Sequence, residues 1–253
     1  MQEIKLNNLI LVLGMHRSGT SCLTGILKEQ GFFTGKLDVN LLGMNGNKGS
    51  QENREVFLLN EKLLMLNLGS WYNPQEIKII PTDFFKKALD YKSKLRTQSN
   101  QQSKILIKDP RMLFCLNLWG ESDGQYIGSF RHPSKVVASI EKRNKKNKNN
   151  KLSGVDWLEV WYKYNMRLLE EQERRKFPIV CFDWGRDVYI KNVSNIIENY
   201  LGRKNKLKSI NFYDAQLRRN EQIDHAIPEK YQKVYNQLLE ISNRTIEKHT
   251  IVQ

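Results

Sequence analysis

Four short apolar runs constrain the fold of this chain more than any other feature. A turn and a helix-like segment follow each run. The runs are Leu9–Leu13, Ile105–Ile107, Tyr126–Phe130 and Ile179–Phe182. Strands without polar alternation are typical of a parallel sheet that is covered on both faces. Apolar residues recur at helical spacing between the runs and predict the covering helices. We therefore predict an α/β fold with a central parallel sheet flanked by helices.

The length and the linker composition predict how the chain is divided. Its 253 residues fit one α/β domain, and no proline-rich linker or internal repeat divides them. We therefore predict a single domain over residues 1–253. The run Lys142–Gly154 is rich in Lys and Asn and has almost no apolar residues, which is most often a solvated loop. Because it follows a candidate anion site, we expect a mobile lid there.

The charge of the chain indicates an anionic partner. Lys and Arg number 41 against 27 Asp and Glu, which gives a formal net charge of +14. This surplus leaves nucleic acid, lipid and a phosphate-bearing small molecule open as partners. No apolar run has the length of a membrane span or a signal-peptide core, so we expect a soluble cytoplasmic protein. The three cysteines lack the spacings of zinc sites, and we expect no metal site.

A glycine-bounded turn follows the first apolar run and precedes a helix that we expect to start near Thr20. Gly14 and Gly19 have the spacing of a nucleotide-binding P-loop, in which backbone N–H groups and a helix N-terminus hold phosphate. Thr20 occupies the position where a nucleoside-triphosphate P-loop has its Lys. Instead, Arg17 lies inside the loop, where its guanidinium could clamp an anion. The candidate cofactor-binding residues of this loop are Gly14, His16, Arg17, Ser18, Gly19, Thr20 and Ser21.

A second anion-binding motif follows the third apolar run. Arg131 stands at the end of this predicted strand, and Pro133 fits the first turn of a helix. Ser139 lies two helical turns further on, on the same face as the start of the helix. Arg131 and Ser139 could therefore bind a second phosphate together.

In this order the two motifs resemble the two cofactor loops of sulfotransferases that use 3′-phosphoadenosine 5′-phosphosulfate (PAPS). The resemblance is to the compact bacterial branch of the family and covers most of the chain up to about Phe182. It implies a P-loop-containing nucleotide-binding architecture and a first loop that holds the 5′-phosphosulfate. Arg131 and Ser139 would be ligands of the 3′-phosphate. Many members have Lys where this chain has Arg17.

Three further segments resemble that branch. Lys108, Asp109 and Arg111 follow the second predicted strand, so they should lie at the sheet edge where ligands bind. Lys108 or Arg111 would neutralise the sulfuryl group and Asp109 would orient one of them or the acceptor; a salt bridge at the sheet edge is the alternative. Glu52 precedes a helix that starts near Arg54, where relatives place an acidic residue close to the acceptor, so we select it as general base. The alternative for Glu52 is an acid favoured by the helix dipole. Near the C-terminus, Arg218 and Arg219 are candidate nucleotide ligands.

The resemblance implies transfer of a sulfuryl group from PAPS to a hydroxyl or an amine, without a metal ion, leaving adenosine 3′,5′-bisphosphate (PAP). We expect Glu52, Arg17 and Lys108 to be the catalytic residues, and a small metabolite or a carbohydrate to be the acceptor. Two other functions stay open. A P-loop small-molecule kinase would explain the glycine spacing but not Thr20. A nucleic-acid-binding protein would explain the charge, but the Lys/Asn run lacks interleaved aromatic residues, so we expect no nucleic-acid partner.

Overall fold

A computed structural model describes residues 9–38, 50–99, 103–120, 124–146, 152–203, 207–213 and 226–250, with side chains in the last helix up to Arg244. Within these residues, four strands form one parallel sheet in the order β2–β1–β3–β4. The strands are β1 (Leu9–Leu13), β2 (Ile105–Lys108), β3 (Gln125–Phe130) and β4 (Ile179–Cys181). The predicted α/β fold with a central parallel sheet is confirmed, because each apolar run forms a strand.

Helices lie on both faces of the sheet. They are α1 (Thr20–Glu29), α2 (Arg54–Leu66), α3 (Thr82–Gln98), α4 (Leu116–Trp119), α5 (Pro133–Lys146), α6 (Trp157–Arg175), α7 (Arg186–Asn195) and α8 (Glu229–Thr250). A 3₁₀ turn covers Pro110–Leu113, and a π-helical turn covers Ile196–Tyr200. The starts of α1, α2 and α5 are the ones that the sequence predicts.

The central strand β1 explains why both faces of the sheet are covered. Its five residues are almost completely buried, and successive side chains of a strand point to opposite faces. Leu9, Leu11 and Leu13 pack in a core with α2, α3, α6 and α8. Ile10 and Val12 pack in a second core with α1 and α7. A polar residue in this strand would face one of these cores without a partner.

The strand order places a crevice at one end of the sheet. From β1 the chain moves outward to β2, whereas from β3 it moves outward in the opposite direction to β4. Ligands of open α/β sheets bind at such a switch point, outside the carboxyl ends of the strands. The segments that follow β1, β2 and β3 therefore converge where the candidate residues lie.

Two segments that the sequence marks as loops are only partly described. Residues 142–146 of the expected lid form the end of α5, and 147–151 lie outside the described residues. Of the glycine- and asparagine-rich stretch from Gly31 to Ser50, residues 39–49 lie outside them as well. Over the part of the chain that the structure covers, no helix is long and apolar enough to cross a lipid bilayer.

Candidate active site

The turn after β1 forms a tight cradle because two of its residues lack a side chain. Gly14 has a φ of +145°, and a Cβ atom built on it would lie 2.2 Å from the carbonyl oxygen of Ser129 in β3. Gly19 has a φ of +84°, and its Cβ would lie 2.3 Å from the ring of Phe182. Both positions therefore require glycine on steric and conformational grounds. The turn leads directly into the N-terminus of α1, the end of a helix that favours anions.

Arg17 joins the two anion motifs. Its backbone has a φ of 68°, the left-handed region, and its Nε donates a hydrogen bond to the Ser139 Oγ of α5 at 2.8 Å. The side chain stays accessible to solvent, and among the described residues no carboxylate lies within salt-bridge distance of it. Desolvation by the surrounding protein and the positive charge of Arg131 lower the pKa of Arg17. The structure therefore places a cation without an acidic partner inside the cradle.

Ser18 and Ser21 form hydrogen bonds to segments that are distant in the chain. The Ser129 Oγ donates to the Ser18 carbonyl at 2.6 Å, which fixes the turn to β3. The Ser18 Oγ is buried and has no partner among the described residues. Thr20 is buried at the start of α1, and the Ser21 Oγ donates to the Ser50 carbonyl at 2.8 Å. An unpartnered hydroxyl within a glycine turn is the type of group that a ligand oxygen satisfies.

Arg131 lies next to Asp183, which the sequence analysis missed. The Arg131 Nε is 3.3 Å from an Asp183 carboxylate oxygen, and Lys135 lies at the same distance. The other carboxylate oxygen accepts a hydrogen bond from the His132 backbone N–H at 2.6 Å. Asp183 follows β4, so its position directly after the fourth apolar run is the sequence signal that could have identified it. Asp183 holds the second anion motif in place.

Lys108 and Glu52 form a buried pair. The Lys108 Nζ lies 2.6 Å from the Glu52 Oε1 and also donates to the Ser50 carbonyl at 2.8 Å. Their side chains are only 2% and 1% exposed. Burial raises the pKa of Glu52 above its ordinary value, while the Lys108 charge acts in the opposite direction. The Glu52 Oε2 is buried and has no partner in the described part of the chain, so it can accept a proton or a hydrogen bond.

Asp109 and Arg111 bind each other and Glu61 rather than the glycine turn. The Asp109 Oδ1 accepts the Arg111 backbone N–H at 2.8 Å and caps the 3₁₀ turn, and the Arg111 guanidinium lies 3.2 Å from the other oxygen. Arg111 also forms a short ion pair with Glu61 of α2 and lies over the ring of Phe57. Both charges are thus satisfied within the protein, as the salt-bridge alternative requires.

His16 lies against aromatic side chains. Its ring centroid is 4.7 Å from that of Trp71 and 6.3 Å from that of Tyr164. Burial, followed by the positive charges of Arg111 and Arg143, lowers the pKa of His16 well below its ordinary value, so the imidazole is neutral. Its Nε2 is buried and has no described partner.

Two further residues belong to this region and were not identified from the sequence. Arg143, inside the segment expected to form a lid, lies in the last turn of α5 with its guanidinium 5.0 Å from the Trp71 ring centroid. Trp71 also stacks on Trp157 at 5.4 Å. Burial and the charges of Arg17 and Arg111 lower the pKa of Arg143 to about 10.

Arg218 and Arg219 lie outside the described residues.

No protein-family model and no curated protein sequence matches this chain. The sulfotransferase domain of the Synechococcus PCC 7002 olefin synthase matches in structure with a TM-score of 0.55 and 17% identity, over 91% of this chain and 94% of that domain. The sulfotransferase domain from the curacin biosynthetic pathway matches with a TM-score of 0.58 and 13% identity, over 92% of this chain and 98% of that domain. The resemblance seen in the sequence is confirmed at the level of the fold: this chain has the fold of sulfotransferase domains.

Proposed function

We propose that this protein is a sulfotransferase that transfers a sulfuryl group from PAPS to a hydroxyl or an amine of a small metabolite or carbohydrate. The observation that carries the proposal is the hydrogen bond from the Arg17 Nε to the Ser139 Oγ. It joins two anion motifs that are 122 residues apart in the chain, at the switch point of the sheet. PAPS carries a 3′-phosphate and a 5′-phosphosulfate, so a site for it needs two anion-binding motifs side by side.

The residues of the cradle fit the donor. Gly14 and Gly19 let the backbone approach a phosphosulfate closely, and the Ser18 Oγ offers a hydroxyl that is otherwise unsatisfied. Arg17 provides a cation that no carboxylate within the described ranges neutralises, and Arg131 with Ser139 would hold the 3′-phosphate. PAPS supplies the activated sulfuryl group and leaves as PAP. Arg218 and Arg219 remain candidate ligands of the nucleotide.

Glu52 is the group that would receive the proton of the acceptor. Its Oε1 is held by Lys108, which leaves the buried, unpartnered Oε2 for the acceptor hydroxyl. Because burial raises the pKa of Glu52, the carboxylate is a stronger base than an exposed one. Lys108 keeps Glu52 oriented and, together with Arg17, balances negative charge that develops on the sulfuryl oxygens. Asp109 and Arg111 stabilise the 3₁₀ turn that follows Lys108 at the end of β2.

Thermal denaturation with PAP tests the proposal directly. A ligand that binds only the folded protein raises its apparent stability with the logarithm of the ligand concentration over Kd. We expect PAP to raise the Tm and ATP with Mg²⁺ to leave it unchanged. We also expect Arg131→Ala to lose the PAP response, while Arg186→Ala, which removes an exposed arginine, retains it.

Two outcomes would contradict the proposal. A rise in Tm with ATP and Mg²⁺ but not with PAP would indicate a kinase. A Tm that responds to neither nucleotide but rises with single-stranded RNA or DNA would assign the basic surface to nucleic acid.

A further inference from the structure

The cations around the site differ in whether a carboxylate lies beside them. Four cations have carboxylate partners: Lys108 with Glu52, Arg111 with Asp109 and Glu61, and Arg131 and Lys135 with Asp183. Two others, Arg17 and Arg143, have no carboxylate within 4.0 Å in the described ranges. The site therefore carries two positive charges that no carboxylate in the described part of the chain neutralises. Arg17 lies in the cradle of the donor, which leaves Arg143 to be explained.

Arg143 is held in place without being neutralised. The Trp71 ring, 5.0 Å from its guanidinium, fixes the side chain by a cation–π contact. Its only described hydrogen bond goes to the side chain of the adjacent Asn144, at 3.3 Å. Arg17, Arg111 and Glu52 all affect its pKa electrostatically, so Arg143 lies in the neighbourhood of the proposed general base. A half-buried cation beside other cations is stabilised by an anion that enters from outside.

Arg143 and His16 of the glycine turn both contact the Trp71 ring. Trp71 contacts His16, stacks on Trp157 and meets Tyr72 edge-on, so Arg143 borders an aromatic wall. His16 turns an unpartnered Nε2 into this buried region. A neutral imidazole, an aromatic wall and an unpaired guanidinium suit an organic molecule that carries one anionic group.

We infer that the acceptor carries a carboxylate or a phosphate and that Arg143 binds this group while Glu52 faces the hydroxyl or amine. The inference rests on the proposed function, because it assigns the acceptor side of the same site. It narrows the expected acceptor from any small metabolite or carbohydrate to an anionic one.

The test compares acids with their neutral counterparts. Calorimetric titrations of the protein, with and without saturating PAP, would use meta-hydroxybenzoate against its methyl ester and glycerol phosphate against glycerol. A hydrogen bond to a charged group contributes enough for us to expect at least one acid to bind about 10- to 100-fold more tightly than its neutral counterpart. Preference within the first pair identifies a carboxylate, and preference within the second identifies a phosphate.

Variants assign the preference to Arg143. We expect Arg143→Gln to abolish the preference for the acid and to leave the affinity for PAP unchanged. Arg143→Lys should restore part of the preference, because it keeps the charge but not the fork of donors. The matched control Arg186→Gln removes an exposed arginine and should bind like the parent protein. Circular dichroism of each variant confirms that it is folded.

Four results would overturn the inference: equal affinity for acid and neutral probe, a preference that persists in Arg143→Gln, a fall in PAP affinity of that variant, or no binding of either acid. A fall in the PAP affinity of Arg143→Gln would assign Arg143 to the donor site. Failure of the proposed function gives a different result, since the parent protein would then not bind PAP at all.

Discussion

The cations at the ends of the neighbouring strands β1 and β2 differ in whether a carboxylate is paired with them. At the end of β2, Lys108 is 2% exposed and paired with Glu52 at 2.6 Å. Beyond the end of β1, Arg17 is open to solvent, and its described hydrogen bond goes to the Ser139 hydroxyl. The first charge is compensated by Glu52, and the second has no carboxylate beside it among the described residues. Burial alone would select Lys108 as the functional cation, whereas the pairing of charges supports separate roles for Lys108 and Arg17 in the proposed function.

The difference between the two cations has a physical cause. A buried ammonium group needs a carboxylate beside it, because desolvation otherwise outweighs its other interactions. A guanidinium at the mouth of a crevice stays partly hydrated and requires no such partner. The β2 end can therefore keep a carboxylate oriented and basic, while the β1 end can attract an anion and release it.

The largest effect is expected when Glu52, the carboxylate that pairs with Lys108 at the end of β2, is replaced by a neutral residue. Glu52→Gln keeps an oxygen that can accept from Lys108 but removes the base, so turnover should fall by about 10²- to 10⁴-fold. The affinity for PAP should stay unchanged. In the parent protein the rate should decline as the pH falls through the raised pKa of Glu52, because the base is then protonated. Rates measured with PAPS across pH check the loss of turnover and the pH dependence.

The control for this variant is Glu55→Gln, which changes an exposed glutamate in the first turn of α2. It should retain the parent rate and the acid limb of the pH profile. An unchanged rate in Glu52→Gln would remove Glu52 from the role of base and end the contrast between the two strand ends.

The next effect is expected at the β1 end. Arg17→Gln removes the charge that faces the donor, and the affinity for PAP should fall by about 10- to 100-fold, which is the contribution of charged hydrogen bonds. The free energy of unfolding should change little, because Arg17 has no carboxylate to leave behind in the described part of the chain. Calorimetry with PAP and urea denaturation measure the two quantities. A large loss of stability with intact PAP affinity would make Arg17 a structural residue.

The smallest effect is expected at the contact that holds Arg17. Ser139→Ala removes one neutral acceptor, so PAP affinity should fall by about three- to tenfold. Ser134→Ala, on the same helix, is a matched control. An effect as large as that of Arg17→Gln would show that Ser139 contributes more than one neutral hydrogen bond, and an unchanged PAP affinity would remove Ser139 from the donor site.

The sequence predicts the sheet, the glycine turn and the starts of α1, α2 and α5, because each depends on residues that are adjacent in the chain. Gly14, Gly19 and Pro133 are local signals for conformations that few other residues adopt. The placement of Glu52 came from a family resemblance, and its role remains a prediction.

Contacts between distant segments could not be predicted in this way. Glu52 and Lys108 are 56 residues apart, and no local spacing indicates that they meet. Arg143 lies within a Lys/Asn-rich run whose composition is typical of a solvated surface, yet the register of α5 turns this one residue towards Trp71. Only the packing of α5 distinguishes it from the basic residues around it.

The unpartnered atoms of the site have a consequence for engineering. The His16 Nε2, the Ser18 Oγ and the Glu52 Oε2 are all buried without described partners, and each such group costs free energy in the unliganded fold. Apolar replacement of both members of a buried ion pair is often neutral or stabilising. A directed-evolution experiment that selects for heat resistance alone would therefore accumulate substitutions at these positions. Thermostable variants of this protein should be recovered under selection for ligand binding as well, or they will retain the fold and lose the site.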